Sequence, residues 1–271
     1  MRLRSTDLEP LGRPCSTLLQ MSKILGYSLI AAARLIGGSS LLLLCGFLFL
    51  SHFVGVDLGL SAVTALGFDA ALCFAFFFQH SGMVRKSFQR KFGAVLPGHY
   101  FGAVYAIASG IVLLLVLSLW QPTHLILASA HGPLRWILRG TFVMAILGFV
   151  WSVRSLGSFD GFGVRPIRAE IFDRTPKELP LTIRGPYRWV RHPQYFLFLV
   201  LLWSHPDLTA DRLLFNILWT IWIFLGSVLE ERDLASEFGA SYREYQNQVP
   251  MLLPVRLPKR TRETSYSTRE Q

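Results

Sequence analysis

Apolar residues in this chain come in long blocks separated by short polar hinges. The blocks Ala31–Val54, Leu60–Phe78, Tyr100–Trp120 and Trp136–Val153 each approach the about 20 residues that a helix needs to cross a bilayer. Two further apolar segments, Tyr195–Ser204 and Leu213–Leu229, are joined by His205-Pro206-Asp207-Leu208-Thr209-Ala210-Asp211, where proline and two acids predict a turn. The first arm of this hairpin is short, roughly 18 Å at 1.5 Å per residue. It either takes in part of the preceding Arg-His-Pro segment or enters the membrane as a partial span. Beyond it, Leu234, Phe238, Tyr242 and Tyr245 recur at helical spacing among charged residues over Leu229–Gln248, which predicts an amphipathic surface helix. The pattern gives an all-α integral membrane protein of about six membrane segments, five if the hairpin is shallow, followed by a cytoplasmic amphipathic helix.

Composition agrees: 52% of the 271 residues are hydrophobic and 16% charged, against about a quarter charged in soluble domains. The net charge of +10 does not imply nucleic acid, because the cations lie in loops and tails. Gln79–Lys91 carries four cations and no acid, and residues 154–192 hold eight cations against four acids. The turns after the first, third and fifth segments carry almost no Lys or Arg. The positive-inside rule then puts both termini and both basic loops in the cytoplasm, most simply of a bacterial inner membrane. Cys15, Cys45 and Cys73 lack metal-ligand spacing. Residues 1–24 read as a polar tail, with Met21 an alternative start, 25–254 as one membrane domain, and 255–271 as a disordered basic tail.

The chemistry-bearing residues flank the hairpin. Arg191-His192-Pro193-x-Tyr195 is followed by Glu230-Glu231-Arg232-Asp233-Leu234. Then come Phe238-Gly239-x-x-Tyr242-x-x-Tyr245 and Val249-Pro250-Met251-Leu252-Leu253-Pro254. Over residues 182–254 this resembles the C-terminal signature of the isoprenylcysteine carboxyl methyltransferase superfamily, integral membrane methyltransferases that use S-adenosylmethionine. Phe78-Gln79-His80-Ser81-Gly82-Met83-Val84-Arg85-Lys86 and Trp203-Ser204-His205-Pro206-Asp207 resemble its methanethiol S-methyltransferase and NnrU-like branch. The resemblance implies that the Arg-His-Pro-x-Tyr and Glu-Glu positions hold the cofactor.

Residue chemistry fits the same placement. Arg191 suits the cofactor's carboxylate, and Glu230 or Glu231 its ammonium or ribose hydroxyls. His192, Tyr195, Tyr242 and Tyr245 can close over the adenine, while Pro193 fits the first turn of the helix that forms the first arm of the hairpin. The catalytic candidates are His80, Arg191 and His192. No Gly-x-Gly-x-x-Gly motif follows a strand, which excludes a soluble Rossmann-type cofactor site. The expected reaction is S-methylation of a small or membrane-dissolved thiol such as methanethiol. The alternatives are O-methylation of an isoprenylcysteine-like carboxylate and a non-enzymatic NnrU-like accessory role.

Overall fold

The computed structural model describes residues 13–50, 55–157, 159–175, 181–255 and 264–266, with side chains given between Gln20 and Val255. Helix α1 (Arg13–Ala32) passes through a π-helical turn (Ala33–Gly37) into α2 (Gly38–Leu50). Then follow α3 (Ala62–Val84), α4 (Lys86–Gly93), α5 (Phe101–Leu119), β1 (Ile126–Ser129) and α6 (Gly132–Leu156). The remaining elements are α7 (Val164–Ile171), β2 (Leu181–Ile183), α8 (Pro193–Trp203), β3 (Asp207–Thr209), α9 (Ala210–Gln248) and β4 (Thr264–Tyr266). Five helical stretches are long and apolar enough to span a bilayer, and α8 is a shorter apolar helix. The molecule is a multi-pass integral membrane protein.

Its core is aromatic and lies between α2, α3, α5, α6, α8 and α9. Phe76 stacks on Trp219 at 5.2 Å, Trp219 on Phe215 at 4.9 Å, and Phe77 on Trp222 at 4.8 Å. Offset ring pairs of this kind add about 0.5–1.5 kcal/mol each beyond burial. Phe74 and Phe78 alternate outward and stay exposed, as the lipid side of a spanning helix requires. A second cluster joins α1, α5 and α7 through Ile30, Ala103, Ala106 and Ile167. Here Gly163 sits at φ 63 with Gly102 backbone so near that an added Cβ would meet its carbonyl carbon at 2.3 Å. Only glycine satisfies both the left-handed backbone and that contact, so Gly163 pins α7 against α5.

At the opposite end, β1 pairs antiparallel with β3, and Arg135 clamps Asp207 with two bonds of 2.9 and 2.8 Å. Arg212 is 1% exposed and donates to the carbonyls of Phe47 and Leu48 at the end of α2. Arg139 donates to the next carbonyl, Phe49. The last carbonyls of a helix have no partner within it, and cations there also oppose the helix dipole. These two arginines finish α2 inside the protein.

Several boundaries differ from the sequence expectation. The first helix begins at Arg13, well before Ala31, because Pro14 fits a first turn and the helix finds a partner in α7, whose Ile167 and Ile171 lie against Gly26. Only residues 1–12 of the expected polar tail lie outside the described residues. The span ending at Phe78 continues to Val84, so Gln79, His80 and Ser81 are helical. The expected surface helix is the direct continuation of the last span in α9, since nothing between Leu229 and Leu234 breaks a helix. In the tail, Thr264–Tyr266 pairs with Leu181–Ile183. The rest of the tail expected to be disordered lies outside the described residues, apart from Val255.

Candidate functional site

The Arg-His-Pro motif is held by backbone from the far end of the domain. The amides of Arg191 and His192 donate to the carbonyls of Pro250 and Met251 at 2.9 and 3.0 Å. Pro193 opens α8, where its missing N–H costs nothing. Gly239 interrupts α9 at φ 55, ψ −126, a conformation open essentially to glycine alone. The break turns the last part of α9 back toward the motif. Tyr245 then donates to the Tyr187 carbonyl, and Tyr242 reaches Glu231 at 2.8 Å.

Glu231 is the hub of this arrangement. Its carboxylate accepts from Arg191 Nε and Nη2 at 2.8 Å each, from Tyr242, and from Gln246 Nε2 at 2.6 Å. His192 Nε2 lies 2.8 Å from Glu231 Oε1, which assigns the proton to Nε2 because the ionised carboxylate only accepts. Arg191 Nη1 completes its own set on the carbonyls of Gln246 and Val249. The bidentate fork expected for a cofactor carboxylate is thus filled by the protein's own Glu231. Both side chains are 9% exposed.

Glu230 faces the other way, 44% exposed, and accepts from the Tyr195 hydroxyl at 2.6 Å. It lies on a cavity of 410 Å³ bounded by the motif, β2 and the bent end of α9. Arg191, His192, Pro193, Tyr195, Glu230, Tyr242 and Tyr245 all line it, with Phe238, Glu237 and Asp160. Asp160 is committed to the first turn of α7, accepting from the amides of Val164 and Arg165 at 2.9 and 2.7 Å. With Arg191 neutralised by Glu231, the ionised groups left to this cavity are acidic, and its other walls are largely aromatic. Burial pushes the Tyr187 phenol up to about 12, so that wall stays uncharged. Gln194 Nε2 is buried on the same cavity without a hydrogen-bond partner.

The acidic walls suit a cationic ligand, the aromatic ones a planar ring, and the orphaned amide donor of Gln194 an acceptor such as a carboxylate, since buried polar groups want partners.

His80 and Glu231 are the predicted residues that do not line this cavity. His80 lines a second one, of 690 Å³, between α3, α5 and α9. Its ring nitrogens meet the Tyr105 hydroxyl at 2.6 Å and Ser109 Oγ at 3.2 Å, and the ring packs on Phe76 and near Trp222. Tyr195 and Glu230 line both cavities, so their hydrogen bond forms the partition between them. Sequence reasoning missed Gln194, Gln246, Tyr105 and Trp222. A tyrosine inside the aliphatic third span was the available signal for Tyr105, whereas Gln246 carries no local mark of its tie to Glu231.

No family model matches the chain, and no solved structure matches it. Among curated proteins, it is 36% identical over 203 residues to the methanethiol S-methyltransferase of Pseudomonas sp. (strain GM41(2012)), covering 73% of this chain and 76% of that protein. It is 37% identical over 199 residues to that of Pseudomonas deceptionensis, covering 72% and 75%. A more distant relative is Nurim of Rattus norvegicus, 25% identical over 193 residues, 64% of this chain and 70% of Nurim.

Proposed function

The chain belongs to the methanethiol S-methyltransferase family, and from that membership we propose that it methylates a small or membrane-dissolved thiol with S-adenosylmethionine as donor. The observation that carries this reading is the acidic, aromatic cavity beside Arg191-His192-Pro193, separated from the His80 cavity by the Tyr195–Glu230 pair. Gln194 would hold the donor's carboxylate, Glu230 and Glu237 its ammonium and ribose hydroxyls, and Phe238, Tyr242 and Tyr245 its adenine. Arg191, Glu231 and Gln246 act as positioning residues that fix the wall on which these groups stand. His192 bridges the two glutamates, bonded to Glu231 and 3.8 Å from Glu230.

When bound, the donor supplies a methyl carbon attached to a positive sulfur, and transfer to a thiolate cancels opposite charges, which a water-poor pocket favours. An alkyl thiol is mostly protonated at neutral pH, so a proton acceptor helps. On the acceptor side of the partition, His80 would take that proton through the Tyr105 hydroxyl bonded to its Nε2. The donor side faces the cytoplasm of a bacterial inner membrane in this reading, consistent with the basic loops around it.

The decisive measurement is equilibrium binding of labelled S-adenosylmethionine to the purified chain, paired with detection of dimethyl sulfide made from methanethiol. Glu230→Gln and Gln194→Leu should each lose tenfold to a hundredfold in donor affinity, the equivalent of about 1.5–3 kcal/mol for one charge-assisted bond. A wild-type protein that binds no donor, or variants that bind it unchanged, would sink the proposal.

A further inference from the structure

The His80 cavity is far larger than methanethiol needs. Drug-sized ligands occupy cavities of about 300–1,000 Å³, and at 690 Å³ this one falls in that range. It follows α9 from Trp222 to Asp233, roughly 16 Å of helix at 1.5 Å per residue. Its inner end is ringed by His80, Tyr105 and Trp222, and its flank is aliphatic at Val84, Ile223 and Leu229. Its other end carries Arg85 and Lys86 on one side and the acids Glu230 and Asp233 of α9 on the other, Glu230 being engaged by the Tyr195 hydroxyl. Both cations are exposed and neither forms an ion pair among the described residues. A cavity that is polar at its inner end, aliphatic along part of its length and charged at its rim, with two unpaired cations on its α4 side, matches an extended amphipathic molecule.

We propose that this cavity binds an amphipathic thiol, an alkyl chain with an anionic head, whose sulfur lies at His80 and whose head meets Arg85 and Lys86. The inference rests on the methyl-transfer reading above and extends its acceptor beyond one carbon. Helix α4 supports the assignment: it has no buried residue and carries Lys86, Arg90 and Lys91 beside a partly exposed Phe88. A basic amphipathic helix of this kind lies in a lipid headgroup layer, so the cavity rim stands where a membrane-dissolved amphiphile presents its head. Gly226 lines the cavity, and a Cβ built on it would meet nothing within 4 Å. A Cβ added there therefore displaces nothing, and a larger side chain is attached at the cavity wall.

Calorimetric titration of the full chain in detergent, with no donor present, tests this with ethanethiol, 1-octanethiol and 8-mercaptooctanoate. The two long thiols should bind at least tenfold tighter than ethanethiol. Gly226→Phe and Gly226→Leu should each weaken both long thiols by tenfold or more, while Gly226→Ala leaves them unchanged. The double variant Arg85→Ala/Lys86→Ala should weaken 8-mercaptooctanoate several-fold and spare 1-octanethiol. Unchanged elution on gel filtration and unchanged S-adenosylmethionine binding serve as checks on folding. Equal affinities for short and long thiols, or a Gly226→Phe variant that binds as wild type, overturn the proposal. In turnover, 8-mercaptooctanoate should yield the S-methyl product with a free carboxylate; an ester would place the carboxylate at the inner end and reverse the assignment. Because binding is read without donor, a chain that lacks methyl transfer would defeat the earlier reading while still reporting on the cavity.

Discussion

Glu231 gathers donors from Arg191, His192, Tyr242 and Gln246, while its neighbour Glu230 accepts a hydrogen bond from Tyr195, has His192 3.8 Å away and keeps a share of open surface. Removing one member of a buried ion pair strands the other charge, at a cost of about 3–5 kcal/mol. Arg191→Ala and Glu231→Ala should therefore lower the thermal midpoint in detergent sharply, whereas Glu230→Gln should leave it near wild type and act on donor affinity. Equal midpoints for all three would mean that the Glu231 hub contributes nothing to the fold. His80 gives a different signature. His80→Ala should slow thiol methylation at neutral pH with donor binding intact, and raising the pH should restore part of the rate as the thiol ionises unaided. A rate loss that persists at alkaline pH would remove His80 from proton transfer.

At the level of elements, α9 was legible in two halves and not as one. Its apolar half and its amphipathic half were both readable from periodicity, but a helix crossing from lipid to water without a break leaves no boundary in the sequence. Gly239 was visible as a motif residue, yet its role as the bend came only from its φ and ψ. Gly239→Ala should cost on the order of 1–3 kcal/mol of backbone strain and loosen Tyr242 from Glu231, seen as reduced donor affinity together with a lower midpoint. The hairpin turn was expected as a turn, but its pairing with β1 and the Arg135 clamp depend on partners roughly seventy to eighty positions away, a separation that no local pattern encodes. That turn also sets an acid limit. The Arg135 guanidinium and Ser129 hydroxyl hold the Asp207 carboxyl down to about 2, and burial with nearby Arg212 lowers His205 to about 4. Both groups bind protons more readily when unfolded, so stability is full at neutral pH. It should decline between about 6.5 and 4 through His205 and further toward about 2 through Asp207. Midpoints measured across this range should show Asp207→Asn less stable at neutral pH and flatter below pH 4; an unchanged acid limb would exclude the clamp as its source.

For the whole molecule, alternating loop charge was enough to anticipate which ends of the helices come together, and the structure gathers the 80s, 190s and 230s on one face as that alternation requires. Reporter fusions after Gln89 and after Pro122 should read cytoplasmic and extracytoplasmic respectively, and a cytoplasmic signal at Pro122 would invert the arrangement. The division into two cavities was not legible, because it depends on Tyr195 and Glu230 meeting across α8 and α9 rather than on either motif alone. One further consequence follows from the two backbone bonds that tie Arg191 and His192 to Pro250 and Met251. A ribosome delivers residues 250 and 251 after every described helix of the bundle, so the wall that holds Arg191 and His192 cannot close on a nascent chain still missing them. On the proposed assignment of that wall to the methyl donor, an interrupted translation product would carry the membrane anchor and the His80 cavity but no finished donor site, and would be inert instead of a half-competent enzyme.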